Sequence, residues 1–128
     1  MSGKHLSCII THGDLSRELK NVADGLVGKI ENEFFFSNKT KSLESIESEI
    51  EQKIEEIKPE KLIFFIDLVG GSCWVLANRI KKSRPEAVVV GGVNVPMLVS
   101  YHSNHERMDW EQLIAKIMED GKKGILIR

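Results

Sequence analysis

Four short apolar segments, separated by amphipathic stretches, constrain the fold of this chain more than any other feature. Residues 62–66 are apolar at every position, which is typical of a parallel strand covered on both faces. Further strands are predicted at residues 6–10, 30–36 and 87–90, and the less apolar start of residues 30–36 favours a sheet edge. Because these strands alternate with predicted helices, the order implies a parallel sheet with helices on both faces.

Apolar residues at helical spacing predict the connecting helices. In the first helix they recur at intervals of four, three and four residues: Leu15, Leu19, Val22 and Leu26. That helix is expected over residues 14–27, and a second begins after Ser42, a residue type that caps helix N-termini well. A third is expected to begin near Ser72, and Asp109 starts a sequence close to a capping box ahead of the last helix. A short terminal strand is expected at residues 125–127.

The order of these elements predicts where a site should lie. Right-handed crossovers with helices on both faces make a flavodoxin-like three-layer α/β sandwich, with strand order 2-1-3-4, the simplest topology. Ligands bind such sheets at the carboxyl ends of the strands where the order reverses, here between the first and third strands. His12 follows the first strand and Asp67 follows the third. We therefore expect these two side chains to be neighbours in one crevice.

Size, charge and cysteine content narrow the functional classes. The chain has 128 residues and is expected to form a single domain, residues 1–128. Its 18 basic and 19 acidic residues give a formal charge of −1, which does not indicate a nucleic-acid partner or an anionic membrane. The longest apolar run has about five residues, whereas a membrane span needs ~20, so no direct membrane insertion is expected. Two cysteines and an N-terminus without an apolar signal segment favour a cytoplasmic location.

A glycine-rich turn adds an anion site to the same crevice. Asp67 is followed by Gly70, Gly71 and Ser72, and then by the third predicted helix. Glycines let backbone amides approach a ligand closely, and a helix N-terminus offers unpaired N–H groups and a partial positive charge. The pattern predicts that Gly70, Gly71 and Ser72 bind a phosphate group.

Three segments, each at a strand end, carry a resemblance to a known family: residues 11–13, residues 67–72 and residues 92–98. In order and spacing they resemble the enzyme IIA domains of the mannose-type (mannose/fructose/sorbose) sugar phosphotransferase system, over essentially the whole chain. The resemblance implies a homodimer in which a histidine accepts a phosphoryl group from the carrier protein HPr and passes it to a IIB domain, which phosphorylates incoming sugar. By match of position, His12 would be the phosphoryl carrier, Asp67 its partner and Ser72 a phosphate contact.

The chemistry of the side chains is consistent with these roles. A carboxylate that accepts a hydrogen bond from one ring N–H fixes the tautomer and directs the other nitrogen at phosphorus. We expect Asp67 to hold Nδ1–H of His12 and to leave Nε2 for attack. Phosphorylation makes the ring cationic, and Asp67 would then stabilise its charge. This scheme requires no metal and no cofactor.

The sequence departs from the family pattern at two positions, and it is also compatible with two other functions. Many family members carry an aromatic residue where this chain has Val69, and a proline where it has Cys73. A regulatory IIA-like module that senses phosphorylation state without sugar transport uses the same histidine, and a small-ligand or metal-binding domain of the same fold is a further alternative.

His102 and His105 are expected in a polar loop or helix end that borders the crevice, and not in a metal site.

Overall fold

A four-stranded parallel sheet organises the computed structural model, which describes residues 4–128. Its strands are β1 (His5–Thr11), β2 (Glu33–Ser37), β3 (Lys61–Ile66) and β4 (Val88–Gly91). They lie in the order β2-β1-β3-β4, and each adjacent pair is parallel. The predicted strand order is therefore confirmed, and β2 lies at an edge of the sheet, as expected.

Five helices of the described chain connect and follow these strands. They are α1 (Leu15–Val27), α2 (Leu43–Ile57), α3 (Ser72–Ser83), α4 (Val95–Asn104) and α5 (Trp110–Lys123). The hydroxyl of Ser42 accepts a hydrogen bond from the N–H of Ser45 at the start of α2. The carboxylate of Asp109 accepts one from the N–H of Gln112 at the start of α5. Both caps were predicted, because short polar side chains satisfy N–H groups that have no partner within the helix.

Helix α4 was not predicted. Only a polar loop or helix end was expected around His102 and His105, and no helix was predicted directly after the fourth strand. Asn94 caps this helix, since its side-chain oxygen accepts a hydrogen bond from the N–H of Met97. Pro96 lies in the first turn, where a missing N–H costs nothing. The cap and the proline were visible in the sequence and together are a signal for a helix N-terminus.

The expected terminal strand is absent from the described chain. Helix α5 continues to Lys123, and residues 125–128 form no regular structure. The side chains there are largely exposed: Ile125 81%, Leu126 78% and Ile127 92%. The apolar character of residues 125–127 therefore does not reflect burial within this chain, and the prediction of a strand in the single subunit is wrong.

The sheet separates two hydrophobic cores. Helices α2 and α3 pack on one face, and α1, α4 and α5 pack on the other. Along β3, Phe64 and Ile66 face the first core, whereas Ile63 and Phe65 face the second. The continuous apolarity of this strand is thus explained by burial on both faces. None of the helices described between residues 4 and 128 combines the length and apolarity needed to cross a bilayer.

Candidate active site

His12 and Asp67 meet at the carboxyl edge of the sheet. Strands β1 and β3 are adjacent, and Ile10 pairs with Ile66 near their ends. His12 and Asp67 follow these paired ends, and Nδ1 of His12 lies 2.9 Å from Oδ2 of Asp67. The backbone N–H of His12 donates to the same oxygen over 3.0 Å. The structure thus brings together the two residues that the sequence placed in one crevice.

The contact with Asp67 distinguishes the two nitrogens of the His12 ring. A carboxylate only accepts hydrogen bonds, so Nδ1 carries the proton in this contact and a neutral ring keeps its lone pair on Nε2. The His12 side chain is 43% exposed, whereas that of Asp67 is 15% exposed. Nε2 lies 3.4 Å from Oγ of Ser72, which is a long contact. The arrangement presents a nucleophilic nitrogen beside a hydroxyl group.

Two glycines let the start of α3 approach the imidazole. Gly70 has φ of +86°, a conformation that favours glycine. Gly71 precedes α3, and a β-carbon at this position would lie 3.1 Å from Cε1 of His12. The start of α3 carries N–H groups that need acceptors, and Gly71 offers no side chain to cap them. Of the predicted phosphate-binding residues, Gly71 and Ser72 therefore lie beside the imidazole.

Two residues at the end of β2, which were not predicted from the sequence, contact the residue after His12. The N–H of Gly13 donates to Oδ1 of Asn38 over 3.3 Å. The carbonyl of Gly13 accepts a hydrogen bond from the hydroxyl of Ser37. Ser37 is the last residue of β2, which is the other neighbour of β1, and Asn38 follows it. Their position at the end of that strand was the signal that could have identified them.

The segment after β4 approaches the same edge. The N–H of Val93 donates to the carbonyl of Ile66 over 3.0 Å, which ties the turn before α4 to the end of β3. Nδ2 of Asn94 donates to the carbonyl of Gly121 over 2.9 Å, so its side chain joins α4 to α5. Val69 lies in the turn after β3 and is 63% exposed, so this departure from the family pattern lies at the protein surface.

The carboxylate of Asp67 has hydrogen-bond partners at only one of its two oxygens. Oδ1 is buried and has no hydrogen-bond partner among residues 4–128. Cys73, the second residue of α3, is buried, and burial together with the charge of Asp67 raises the pKa of its thiol. Ligand atoms of His12, Asp67 and Cys73 lie within 4.8 Å of one another. The site therefore holds an imidazole, a carboxylate and a protonated thiol in close proximity.

His102 and His105 do not border this crevice. They lie at the end of α4, as the helix-end alternative predicted. Nε2 of His102 lies 2.7 Å from Oε1 of Glu33, the first residue of β2, which places the pair at the amino edge of the sheet. His105 lines a cavity of about 930 Å³ with Lys4 and Tyr101, also at that edge. The expectation that these histidines adjoin the crevice is wrong, because α4 runs from the carboxyl edge to the opposite one.

Comparison with known proteins identifies the family. The family model described as EIIA-man, PTS system fructose IIA component, matches residues 8–118. The chain is 29% identical over 120 residues to the PTS system mannose-specific EIIAB component of Escherichia coli (strain K12). That match covers 90% of this chain and 36% of the relative, so the chain spans about a third of the length of the curated relatives it matches.

Solved structures show the same fold. The chain is similar to the phosphotransferase system component EIIA from Streptococcus agalactiae, with a TM-score of 0.85, 16% identity and 96% of each chain covered. It is also similar to the mannose/sorbose specific IIA subunit from Enterococcus faecalis, with a TM-score of 0.82, 17% identity and coverage of 98% of this chain and 95% of that one. The matched residues 8–118 make up most of the chain and include both His12 and Asp67. The chain therefore belongs to the mannose-type enzyme IIA family of the sugar phosphotransferase system.

Proposed function

We propose that this chain is a phosphoryl carrier of the phosphoenolpyruvate-dependent sugar phosphotransferase system. It accepts a phosphoryl group from HPr on Nε2 of His12 and passes the group to a IIB domain. The observation that carries this proposal is the 2.9 Å contact between Nδ1 of His12 and Oδ2 of Asp67, in a side chain that is 43% exposed. Membership of the enzyme IIA family supports the same class of reaction.

The transfer step needs one lone pair and one countercharge. Nε2 of His12 forms a bond to phosphorus as the bond from phosphorus to HPr breaks, and HPr leaves with the electron pair of that bond. The ring of His12 then carries a positive charge, and its Nδ1–H faces the carboxylate of Asp67. A hydrogen bond to a charged group typically contributes ~1.5–3 kcal/mol. In transfer to IIB, a nucleophile of IIB forms a bond to phosphorus as the bond from phosphorus to Nε2 breaks, and Nε2 keeps the electron pair of that bond.

The start of α3 stabilises the phosphoryl oxygens in this proposal. Phosphoryl transfer has a loose transition state with charge on the equatorial oxygens, so catalysis depends on positioning and electrostatics. The hydroxyl of Ser72 lies near Nε2, and the first turn of α3 has no side-chain cap. The partial positive charge of a helix N-terminus suits an anion. Gly70 and Gly71 give the oxygens access to these backbone groups.

We infer that the chain acts in the cytoplasm as a homodimer. The apolar side chains of Ile125, Leu126 and Ile127 are exposed in the single chain, and a second copy would remove them from water. The proposed phosphoryl donor, HPr, and the proposed acceptor, IIB, are protein partners, and the proposed steps use neither a metal nor a cofactor.

A labelling experiment tests this function. The chain is mixed with labelled phosphoenolpyruvate, HPr and the enzyme that phosphorylates HPr, and IIB is then added. Label that reaches IIB through His12 supports the carrier. Label that stays on His12 in the presence of cognate IIB contradicts transfer and favours the regulatory module. A chain that takes no label from phospho-HPr contradicts both and favours a ligand-binding domain.

A further inference from the structure

Cys73 adds a third donor atom to the His12–Asp67 pair. Sγ of Cys73, a carboxylate oxygen of Asp67 and a ring nitrogen of His12 lie within 4.8 Å of one another. Cys73 is fully buried in the core between the sheet and helices α2 and α3, whereas His12 is partly exposed. The cluster therefore has one donor fixed by the core, one at the strand end and one that reaches solvent.

Asp67 has an oxygen that the proposed function leaves unused. Oδ2 faces both the backbone N–H and Nδ1 of His12, whereas the buried Oδ1 has no hydrogen-bond partner among the described residues. Burial of a carboxylate oxygen without a partner is unfavourable, and such a group calls for an explanation. Within residues 4–128, no lysine or arginine forms an ion pair with this carboxylate. A cation bound at Oδ1 would remove the cost.

The donor set matches one class of metal ion. Thiolate, imidazole and carboxylate are the usual protein ligands of zinc, which often takes three of them and leaves a fourth position open. Sulfur ligands select zinc and other soft ions over magnesium and calcium, which prefer oxygen. The chemistry of this cluster therefore favours zinc.

We propose that Cys73 Sγ, Asp67 Oδ1 and a ring nitrogen of His12 form a zinc site that blocks phosphoryl acceptance. The inhibitory half of this proposal, that zinc prevents the phosphorylation of His12, rests on the proposed function of His12. Binding releases the thiol proton of Cys73 to water. Zinc bound at Nε2 uses the nucleophilic lone pair directly, and zinc bound at Nδ1 leaves the remaining ring proton on Nε2. The nucleophile of the carrier is lost in either geometry.

A second cluster of similar composition does not share these features. Asp24, Glu33 and His102 also offer ligand atoms close together. There, however, the ammonium of Lys20 lies 3.3 Å from both carboxylates. Both ring nitrogens of His102 face oxygen acceptors, namely Glu33 and the carbonyl of Gly28. That cluster already contains its own cations, whereas the cluster around Asp67 does not.

Metal binding can be measured without phosphoryl transfer. The purified, metal-free chain is titrated with zinc against a chromogenic chelator, and with cobalt as a spectroscopic probe. We expect one zinc ion per chain and a thiolate-to-cobalt charge-transfer band. Cys73→Ala should abolish the band and weaken zinc binding by at least about tenfold, as even the loss of a group that only orients a ligand costs 10–100-fold.

Matched variants separate ligand loss from unfolding. Cys8→Ala removes the other buried cysteine, which lies in β1 and in the same core, and should bind zinc as the parent chain does. Cys73→Ser is closer to cysteine in size than alanine is, and it replaces Cys73→Ala if circular dichroism shows that the alanine variant is unfolded. Zinc binding that is undiminished in the folded Cys73 variant, or a cobalt complex without the thiolate band, overturns the proposal.

The inhibitory half is measured with phospho-HPr that has been separated from its phosphorylating enzyme. Zinc should lower the labelling of the parent chain, and a chelator should restore it. The labelling of Cys73→Ala should be the same with zinc and with the chelator. Labelling that is equal with and without zinc in the parent chain contradicts the inhibitory half. A chain that binds zinc through Cys73 yet takes no label at all supports the zinc site and contradicts the proposed function alone.

Discussion

One oxygen atom fixes the orientation of the proposed nucleophile. Oδ2 of Asp67 lies within hydrogen-bond distance of both the backbone nitrogen and Nδ1 of His12. The same carboxylate supplies the negative charge that faces the ring. Substitutions at this position therefore test orientation and charge together, and substitution of Gly71 tests the position of the ring and the access of the phosphoryl oxygens without changing a charge.

Asp67→Asn should keep the fold and slow the labelling of His12 by phospho-HPr. The amide has no charge, and it can present a donor instead of an acceptor to the ring. Loss of a charge-assisted hydrogen bond of ~1.5–3 kcal/mol corresponds to about a ten- to hundredfold lower initial rate. Quenched-flow labelling with purified phospho-HPr measures that rate.

Glu86→Gln is the matched control for this variant, because Glu86 is an exposed carboxylate in the turn before β4. It should be labelled at the parent rate. Normal labelling of Asp67→Asn would remove Asp67 from the mechanism. His12→Ala should take no label, and acid-labile label retained by that variant would move the site to another histidine.

Gly71→Ala should slow labelling with little loss of stability. The backbone φ of −77° suits alanine, but the added β-carbon would lie 3.1 Å from Cε1 of His12, so the ring must shift. A displaced nucleophile costs rate because phosphoryl transfer depends on alignment. We expect several-fold slower labelling and a nearly unchanged urea midpoint.

Gly25→Ala provides the contrast within the same molecule. A β-carbon at Gly25, in α1, meets nothing within 4 Å. Alanine is favoured over glycine inside a helix by ~0.5–1 kcal/mol, so this variant should be more stable and equally active. Labelling of Gly71→Ala at the rate of Gly25→Ala would show that the close approach at residue 71 does not position the ring.

Strand order made the His12–Asp67 contact predictable from the sequence, because two residues that follow adjacent parallel strands must lie at one edge. The end of β2 pointed to Ser37 and Asn38 in the same way, because β2 is the other neighbour of β1. Their particular contacts with Gly13 depend on how the chain leaves β2, which periodicity does not determine.

At the scale of elements, a buried ion pair joins α4 to the start of β2 and the end of α1. Nε2 of His102 lies 2.7 Å from Glu33, and Nδ1 lies 3.0 Å from the carbonyl of Gly28. Burial lowers the pKa of His102, but Glu33, Gly28 and Asp24 outweigh burial and raise it. Burial raises the pKa of Glu33, but His102, Lys20 and Ser7 outweigh burial and lower it. Both shifts favour the charged forms of the pair, an imidazolium and a carboxylate.

The free energy of unfolding should reflect this pair in a defined pH window. The contribution of His102 is fully present below its ordinary pKa of 6.5 and is lost as the pH rises through the higher folded value. The contribution of Glu33 is present above 4.5 and is lost as the pH falls through its lower folded value. Urea unfolding of the parent chain and Glu33→Gln between pH 4 and about pH 9 measures the difference.

Glu33→Gln should be destabilised by about 3–5 kcal/mol near neutral pH, because it leaves a buried cation without its partner. The difference from the parent chain should shrink at both ends of the pH range. His5 and His105 act in the opposite sense, since burial lowers the pKa of each, so their contribution is lost as the pH falls below 6.5. His5 is not affected by Glu33 and cancels in the difference, whereas the pKa of His105 also depends on the charges of Glu33 and His102, so His105 cancels only in part. A pH-independent difference would contradict the charged pair.

The two errors in the predicted elements, the missed helix α4 and the terminal strand that does not form, share one cause. Helix α4 carries buried polar residues, including His102 and Asn104, and these interrupt the apolar spacing by which the other helices were recognised. Residues 125–127 show the reverse, because their apolar pattern resembles a strand although the single chain gives them nothing to pair with. Local patterns report burial, and burial here depends on partners that are remote in the sequence.

At the scale of the whole molecule, the exposed C-terminal segment predicts association. Three consecutive apolar residues that are 78–92% exposed in one chain are expected to be buried in a dimer. Light scattering should give the mass of two chains for the 128-residue chain and of one chain after deletion of residues 125–128. The mass of one chain for the 128-residue chain at micromolar concentration would contradict the homodimer.

The two hydrogen bonds between Asp67 and the ring and backbone of His12 have a consequence for the order in which partner proteins would bind. With its ring held by Asp67, the side chain of His12 is expected to accept and donate the phosphoryl group from one position. In the proposed function, phospho-HPr and IIB would then bind the same patch of surface one after the other, and we expect no complex of all three proteins on one subunit. Unphosphorylated IIB should therefore slow the labelling of His12 by simple competition.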